Sequence, residues 1–193
     1  MPPKPRITRD MILEAGLTVI RRDGAEKLNV RSIAAELSCS TQPVMYHYPA
    51  VSALKDELYA AADQLHTAYI MQSSGENPML GIGLRYIRFA AEERQLFRFL
   101  FQSDQFAGSS FGDLLSADGQ NPVIAPLCAQ TGLDPAQAKA VFASLFCCVH
   151  GYASLLANNA MRFDEADCAQ MLTDTMNGLL MYMKGKNRDE ETV

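Results

Sequence analysis

The chain has 193 residues, 48% hydrophobic and 20% charged, with a formal net charge of −5. That composition belongs to a packed globule of one large or two small domains and excludes a chain disordered throughout. The charge is uneven: Met1 to Arg31 carries seven Lys/Arg against four acids, whereas from Tyr59 onward nine bases face fifteen acids. A basic head on an acidic body excludes a generally cationic surface and suits a chain whose first segment alone meets phosphate.

Helical periodicity runs through the whole sequence, and no stretch of alternating β-branched residues interrupts it, so the expected fold is all-α. Thr8 caps a first helix whose apolar positions include Ile12, Leu13, Ala15, Val19 and Ile20, and Asp23-Gly24 ends it with a left-handed glycine. Asn29 caps a second helix, Val30 to Leu37, with Ile33, Ala34 and Leu37 on one face. After the turn at Ser38-Cys39, Ser40 caps a third helix from Thr41 to about His47, with Pro43 tolerated in its first turn. Tyr48-Pro49-Ala50 breaks it. A fourth helix is expected from Val51 to about Met71.

Ser73 to Pro78 reads as a linker. Helices then follow at about Met79 to Glu92 and Gln95 to Phe101, and Gln102 to Asn121 is Gly-, Ser- and Asp-rich and expected to be irregular. Pro122 opens a short helix to about Thr131. Asp134-Pro135, an N-cap followed by proline at the first helical position, opens a long apolar helix to about Asn158, and Asp164 caps a last helix to about Lys184.

Two short helices joined by a tight turn occur in many helical proteins as a simple corner. Here they form part of a three-helix unit behind a basic arm, and the third helix offers Thr41, Gln42, Tyr46, His47 and Tyr48, which read as exposed. Hydroxyls and amides of this kind donate to phosphates, and Gln can pair with adenine. The sequence from Arg6 to about Tyr59 resembles the DNA-binding domain of TetR-type regulators. The resemblance lies in Ile12-Leu13-Glu14-Ala15-Gly16, Asp23-Gly24-Ala25, Asn29-Val30-Arg31-Ser32-Ile33-Ala34 and the aromatic cluster before Pro49. Farther on, Phe146-Cys147-Cys148-Val149-His150-Gly151 resembles a signature of some C-terminal regulatory domains of that family.

The resemblance implies a helix-turn-helix domain over residues 1–52, within an N-terminal unit ending near 59. It implies a larger helical domain for effector binding and dimerisation over 53–193. It brings Asn29 and Arg31 to phosphates, with Thr41, Gln42, Pro43, Tyr46 and His47 in or beside the major groove and Ser40 at the head of that helix. Three positions depart from the family pattern: Ser38 replaces a turn glycine, Met45 replaces a tyrosine, and Val51 replaces a lysine whose phosphate contact Lys55 is expected to take over. The implied partners are double-stranded DNA with a palindromic operator, a second copy of the chain, and a small effector, without a membrane.

The second half is rich in Met and Phe, which suits an adaptable, apolar-lined space. Tyr86, Phe89, Phe101, Phe146 and His150 are the candidate lining for a small apolar or amphipathic effector; no cofactor is expected. The last two long helices carry broad apolar faces, with Gly151 and Gly178 permitting close approach of a partner helix. Gly108-Ser109-Ser110-Phe111-Gly112 matches the nucleophile-elbow pattern, but that motif needs a strand before the serine, and the preceding residues are helical in pattern. The expectation is therefore no enzyme and no catalytic residue. The alternative is a helical ligand-binding protein or enzyme whose N-terminal helices are only structural.

His47, His66 and His150 have no metal-ligand spacing, and His66 is expected on an exposed or domain-facing side of its helix. The five cysteines are odd in number and lack a CxxC pair, which points to free thiols in a reducing compartment. The chain opens on a polar stretch unlike a signal peptide, and its apolar runs look interrupted by charge, so the expected location is the cytoplasm.

Overall fold

In the computed structural model, which describes residues 7–72, 77–103, 107–108, 110, 112, 123–159 and 161–190, all regular structure is helical. The helices are α1 (Arg9–Asp23), α2 (Val30–Glu36), α3 (Thr41–His47), α4 (Val51–Met71), α5 (Pro78–Glu92), α6 (Arg94–Phe101), α7 (Ile124–Thr131), α8 (Pro135–Asn158) and α9 (Glu165–Glu190). A single 3-10 turn, Ala25–Lys27, follows α1. The expected linker at Ser73 to Glu76 and most of the expected irregular stretch at 102–121 lie outside the described residues.

Local chemistry sets the helix ends. Thr8 accepts a hydrogen bond from the Met11 amide at the head of α1. Asn29 and Ser32 form a reciprocal capping box at the head of α2, and Asp134 and Gln137 form another at the head of α8. Asp164 accepts from the Ala166 and Asp167 amides and caps α9. Ser40 occupies the N-cap of α3 but makes no side-chain bond there. Gly24 takes a positive φ of 89°, yet its ψ of 162° is extended, so it ends α1 without the left-handed turn expected. A Cβ at Gly24 would meet the Glu26 carboxylate at 2.6 Å.

The chain forms two compact units, Met1–Tyr69 with Glu92–Gln105, and Ile70–Ala91 with Phe106–Val193. This packing does not follow chain order: most of α4, and α6 with it, belong to the first unit. Ile12, Val19 and Ile20 of α1, Ile33 of α2, Val44 of α3, Leu54 and Leu58 of α4, and Leu96, Phe97 and Leu100 of α6 are all buried. Gly16 allows α1 and α4 to come close, since a Cβ there would lie 2.7 Å from a Leu58 methyl. Of the exposed or domain-facing side expected for His66, the exposed alternative does not hold: it is 5% exposed, because α4 buries one residue in four, Leu54, Leu58, Ala62 and His66. Its ring meets Phe101 edge-on at 5.1 Å.

The second unit packs α8 against α7 and α9 around Leu127, Ala138 and Val141. Gly83 of α5 comes close to Leu172 of α9, which a Cβ would meet at 3.0 Å. Arg88 of α5 pairs with Glu165 and lies over the Phe163 ring. Contrary to the reading of interrupted apolar runs, α8 is long and apolar enough to cross a membrane by length and composition alone, and only a minority of its most apolar stretch is buried within the chain.

Candidate nucleic-acid interface

The three-helix head holds α3 by its buried side. Val44 is fully buried and Tyr48, at the residue after α3, is 2% exposed. These positions, four apart, fix which face of α3 turns inward. The burial of Tyr48 corrects its expected exposure: the ring packs in the core while its hydroxyl donates to Glu57 Oε2 at 2.5 Å. Arg9 Nε donates to the same hydroxyl at 3.3 Å, the Arg9 guanidinium pairs with Glu57, and its carbon lies 4.8 Å from the centre of the Tyr48 ring. Burial raises the Tyr48 phenol pKa, which keeps the hydroxyl protonated as a donor to Glu57. His47 Nε2 is 3.0 Å from the Ile7 carbonyl oxygen, so this ring is half-buried and turned toward the start of α1. The start of α1, the end of α3 and α4 are thereby tied together across 39 to 48 residues of sequence. No local pattern announces that network.

The opposite face of α3 carries Gln42, Met45 and Tyr46, at i, i+3 and i+4. All three are exposed, Met45 at 55% and Tyr46 at 75%. Thr41 and Pro43 are half-buried beside them and Ser40 is exposed. Asn29 is largely committed to its cap: Oδ1 accepts from the Arg31 and Ser32 amides at 3.0 Å each, and Nδ2 donates to the Lys27 carbonyl at 3.0 Å. Its role is to start α2 and set Arg31, which is exposed. Lys55 is exposed on α4, four residues after the exposed Val51.

The basic head divides into two classes. Arg9, Arg21 and Arg22 pair with Glu57, with Glu93, and with Asp23 and Glu36 respectively. Among the described residues Arg31, Lys27 and Lys55 enter no ion pair closer than 4.0 Å. The positive balance of the first segment is thus partly neutralised within the fold. The expected turn departure also has a definite form: Ser38 adopts φ 51°, the left-handed conformation a glycine would take there.

In the second unit, Tyr86 Oη and His150 Nδ1 share a hydrogen bond of 2.9 Å. Phe146 stacks on His150 at 5.5 Å and meets Tyr86 edge-on at 6.1 Å. Burial lowers the His150 pKa and favours the neutral ring. Three of the five candidate pocket residues therefore come together, and Phe89 is buried on the same helix as Tyr86. Phe101 belongs to the first unit, where its ring lies 4.9 Å from Phe97 and 5.1 Å from His66. Ser110 of the elbow-like motif follows helix α6 rather than a strand, and the residues around it are only partly described. All five cysteines are free thiols.

Residues 79–179, more than half of the chain, match the family described as "Tetracyclin repressor-like, C-terminal domain". Among solved structures, a TetR variant from Acinetobacter baumannii AYE, crystallised in complex with minocycline, has a similar fold. Its TM-score is 0.52 at 20% sequence identity, over 94% of this chain and 97% of that one. No curated protein matches the sequence.

Proposed function

The chain belongs to the TetR family of regulators, and from that premise we propose that it is a dimeric repressor that binds a palindromic operator and is released by a small molecule. The observation that supports this most is the division of α3 into a buried side, Val44 and then Tyr48, and an exposed side, Gln42, Met45 and Tyr46. A helix held that way presents base-reading side chains outward from a fixed scaffold. Arg31 and Lys55 are the cations for flanking phosphates, with Ser40 and Thr41 as hydroxyl donors and Pro43 as an apolar neighbour. Asn29 acts through the cap that aims Arg31. The engagement of His47 with Ile7 supports a bracing role for that residue at the groove's edge.

Dimerisation is assigned to α8 and α9. Leu155 is exposed, Met181 is 74% exposed and Tyr182 66%, and the space beyond the Cα of Gly151 and of Gly178 is open. An apolar helix pair of this kind is stabilised by a second copy, and a two-fold interface would pair two reading heads. Their half-sites would lie roughly 34–36 Å apart or a multiple of that. The same pairing gives the apolar α8 a partner in water and supports a cytoplasmic protein.

The effector is a small apolar or amphipathic molecule bound in the second unit, with Tyr86, Phe89, Phe146 and His150 as its aromatic and polar contacts. It acts through differential affinity for two states of the dimer, so DNA must weaken effector binding by the same factor as effector weakens DNA binding. The role is binding without catalysis. Titration of the purified protein with a duplex of its own upstream region, at several salt concentrations, tests the reading. Saturable binding with log K falling linearly in log salt is expected; absence of binding at every salt contradicts it.

A further inference from the structure

The exposed face of α3 carries no formal charge, and neither does the sequence around it. From Leu37 to Leu54 there is no Asp, Glu, Lys or Arg, although 20% of the chain is charged. The commonest specific contact in the major groove is Arg or Lys on guanine O6 and N7, and cytosine N4 is read by an acidic acceptor. Neither kind of side chain is present on this helix. The His47 ring does not supply such a donor either, because its Nε2 is held 3.0 Å from the Ile7 carbonyl oxygen.

What the face does present is one amide and two large apolar surfaces. Gln42 has the donor–acceptor pair that matches adenine N6 and N7. Met45 lies one turn along on the same side, 55% exposed, with Tyr46 beside it. The only apolar group on the major-groove edge of any base pair is the C5-methyl of thymine. Burying a methionine side chain against phosphate or a bare polar edge gains little, whereas burial against a methyl removes apolar surface of both partners from water.

We infer that α3 reads A·T pairs, with Gln42 on adenine and Met45 against the thymine C5-methyl. This rests on the proposed DNA-binding function and specifies the base-pair class that function recognises. The cations stay outside the base-reading face, at Arg31 and Lys55, where they contribute affinity without choosing sequence.

The test starts from a duplex selected from a random pool by the full-length protein. Each thymine is replaced singly by deoxyuridine, which removes only the methyl group, and affinity is measured for the wild type and for Met45→Ala and Gln42→Ala. At one or two thymines per half-site, uracil should weaken wild-type binding about fourfold, the equivalent of one buried CH2. Met45→Ala should be indifferent to the same replacement, and Gln42→Ala should relax the preference at a neighbouring adenine. Met45 is exposed, so Met45→Ala should keep the wild-type circular dichroism spectrum. Indifference of the wild type to uracil at every thymine overturns the inference. So does equal sensitivity in Met45→Ala, or a G·C pair at the position that Gln42→Ala relaxes. If no duplex is retained at any salt, the DNA-binding function itself fails and the inference with it.

Discussion

Ser38 shows how one residue can be both strained and informative. Its φ of 51° is a conformation that costs an L side chain about 1–2 kcal/mol, while glycine there loses part of that gain through a more flexible unfolded chain. Ser38→Gly should therefore stabilise the protein by about 0.5–1 kcal/mol, read as a rise of roughly 1–4 °C in Tm; a lower Tm would mean that the serine side chain makes a contribution beyond its backbone geometry. His66 gives a pH prediction. Burial holds its ring neutral and pushes its pKa from 6.5 down to about 4. Between those values the unfolded chain binds the proton and the folded chain does not, so stability falls as pH drops through that window, by at most about 1.4 kcal/mol per unit. Denaturation of His66→Leu compared with wild type between pH 6.5 and 5 should show a flatter pH profile; parallel profiles would assign the acid sensitivity elsewhere. Tyr48→Phe removes the hydroxyl shared by Glu57 and Arg9 and should cost about 1–2 kcal/mol by chemical denaturation, with no change if the network is slack. Of these residues Ser38 was legible as a family departure. Tyr48 reads as exposed because its partners lie outside its own helix, and the burial of His66 is legible only from its place on the four-residue stripe Leu54, Leu58, Ala62, His66.

At the scale of the element, the caps carried the most readable information, because they are local chemistry. Thr8, Asn29, Asp134 and Asp164 start helices where their side chains accept backbone amides. Asp134→Ala should destabilise the second unit by about 1 kcal/mol, since it removes one half of a capping box and leaves two amides of α8 without their acceptor. Calorimetry of that variant checks it, and an unchanged transition would mean that Pro135 alone starts the helix. Ends without a strong breaker were less legible: α9 continues to Glu190, past the expected stop near Lys184, because no proline follows and Gly185 is carried inside the helix. Which helix packs with which was less legible still. The apolar face of α6 is visible in its sequence, but a face does not say what it faces: that Phe101 meets Phe97 and His66 is announced by no local pattern.

For the whole molecule, the sequence reading of a basic head proved too coarse. Three of its arginines are bound to carboxylates of the first unit, so the cations left for phosphate are few and flank a helix without formal charge. A modest salt dependence follows, with a slope set by cations such as Arg31, Lys27 and Lys55 that enter no ion pair among the described residues and not by the count of bases. Arg31→Ala should weaken binding similarly on all duplexes and reduce the slope by about 1, whereas a change of preferred sequence would make Arg31 a base reader. The broad apolar face of α8 is visible in the sequence, but the expected interruption by charge does not hold for it: residues 140–158 carry no Asp, Glu, Lys or Arg, which makes the helix apolar enough for a membrane by length and composition.

The proposed function requires α2 and α3 to read duplex DNA as part of a two-fold dimer. The measurement that tests it most directly is selection of bound duplexes from a random pool, run in parallel with wild type and with Gln42→Ala at a stated salt concentration. Wild type should enrich an inverted repeat whose half-sites are about one helical turn apart, or a multiple, and Gln42→Ala should lose preference at symmetric positions in both halves. Enrichment of no sequence, or of a site that Gln42→Ala recovers unchanged, would contradict it.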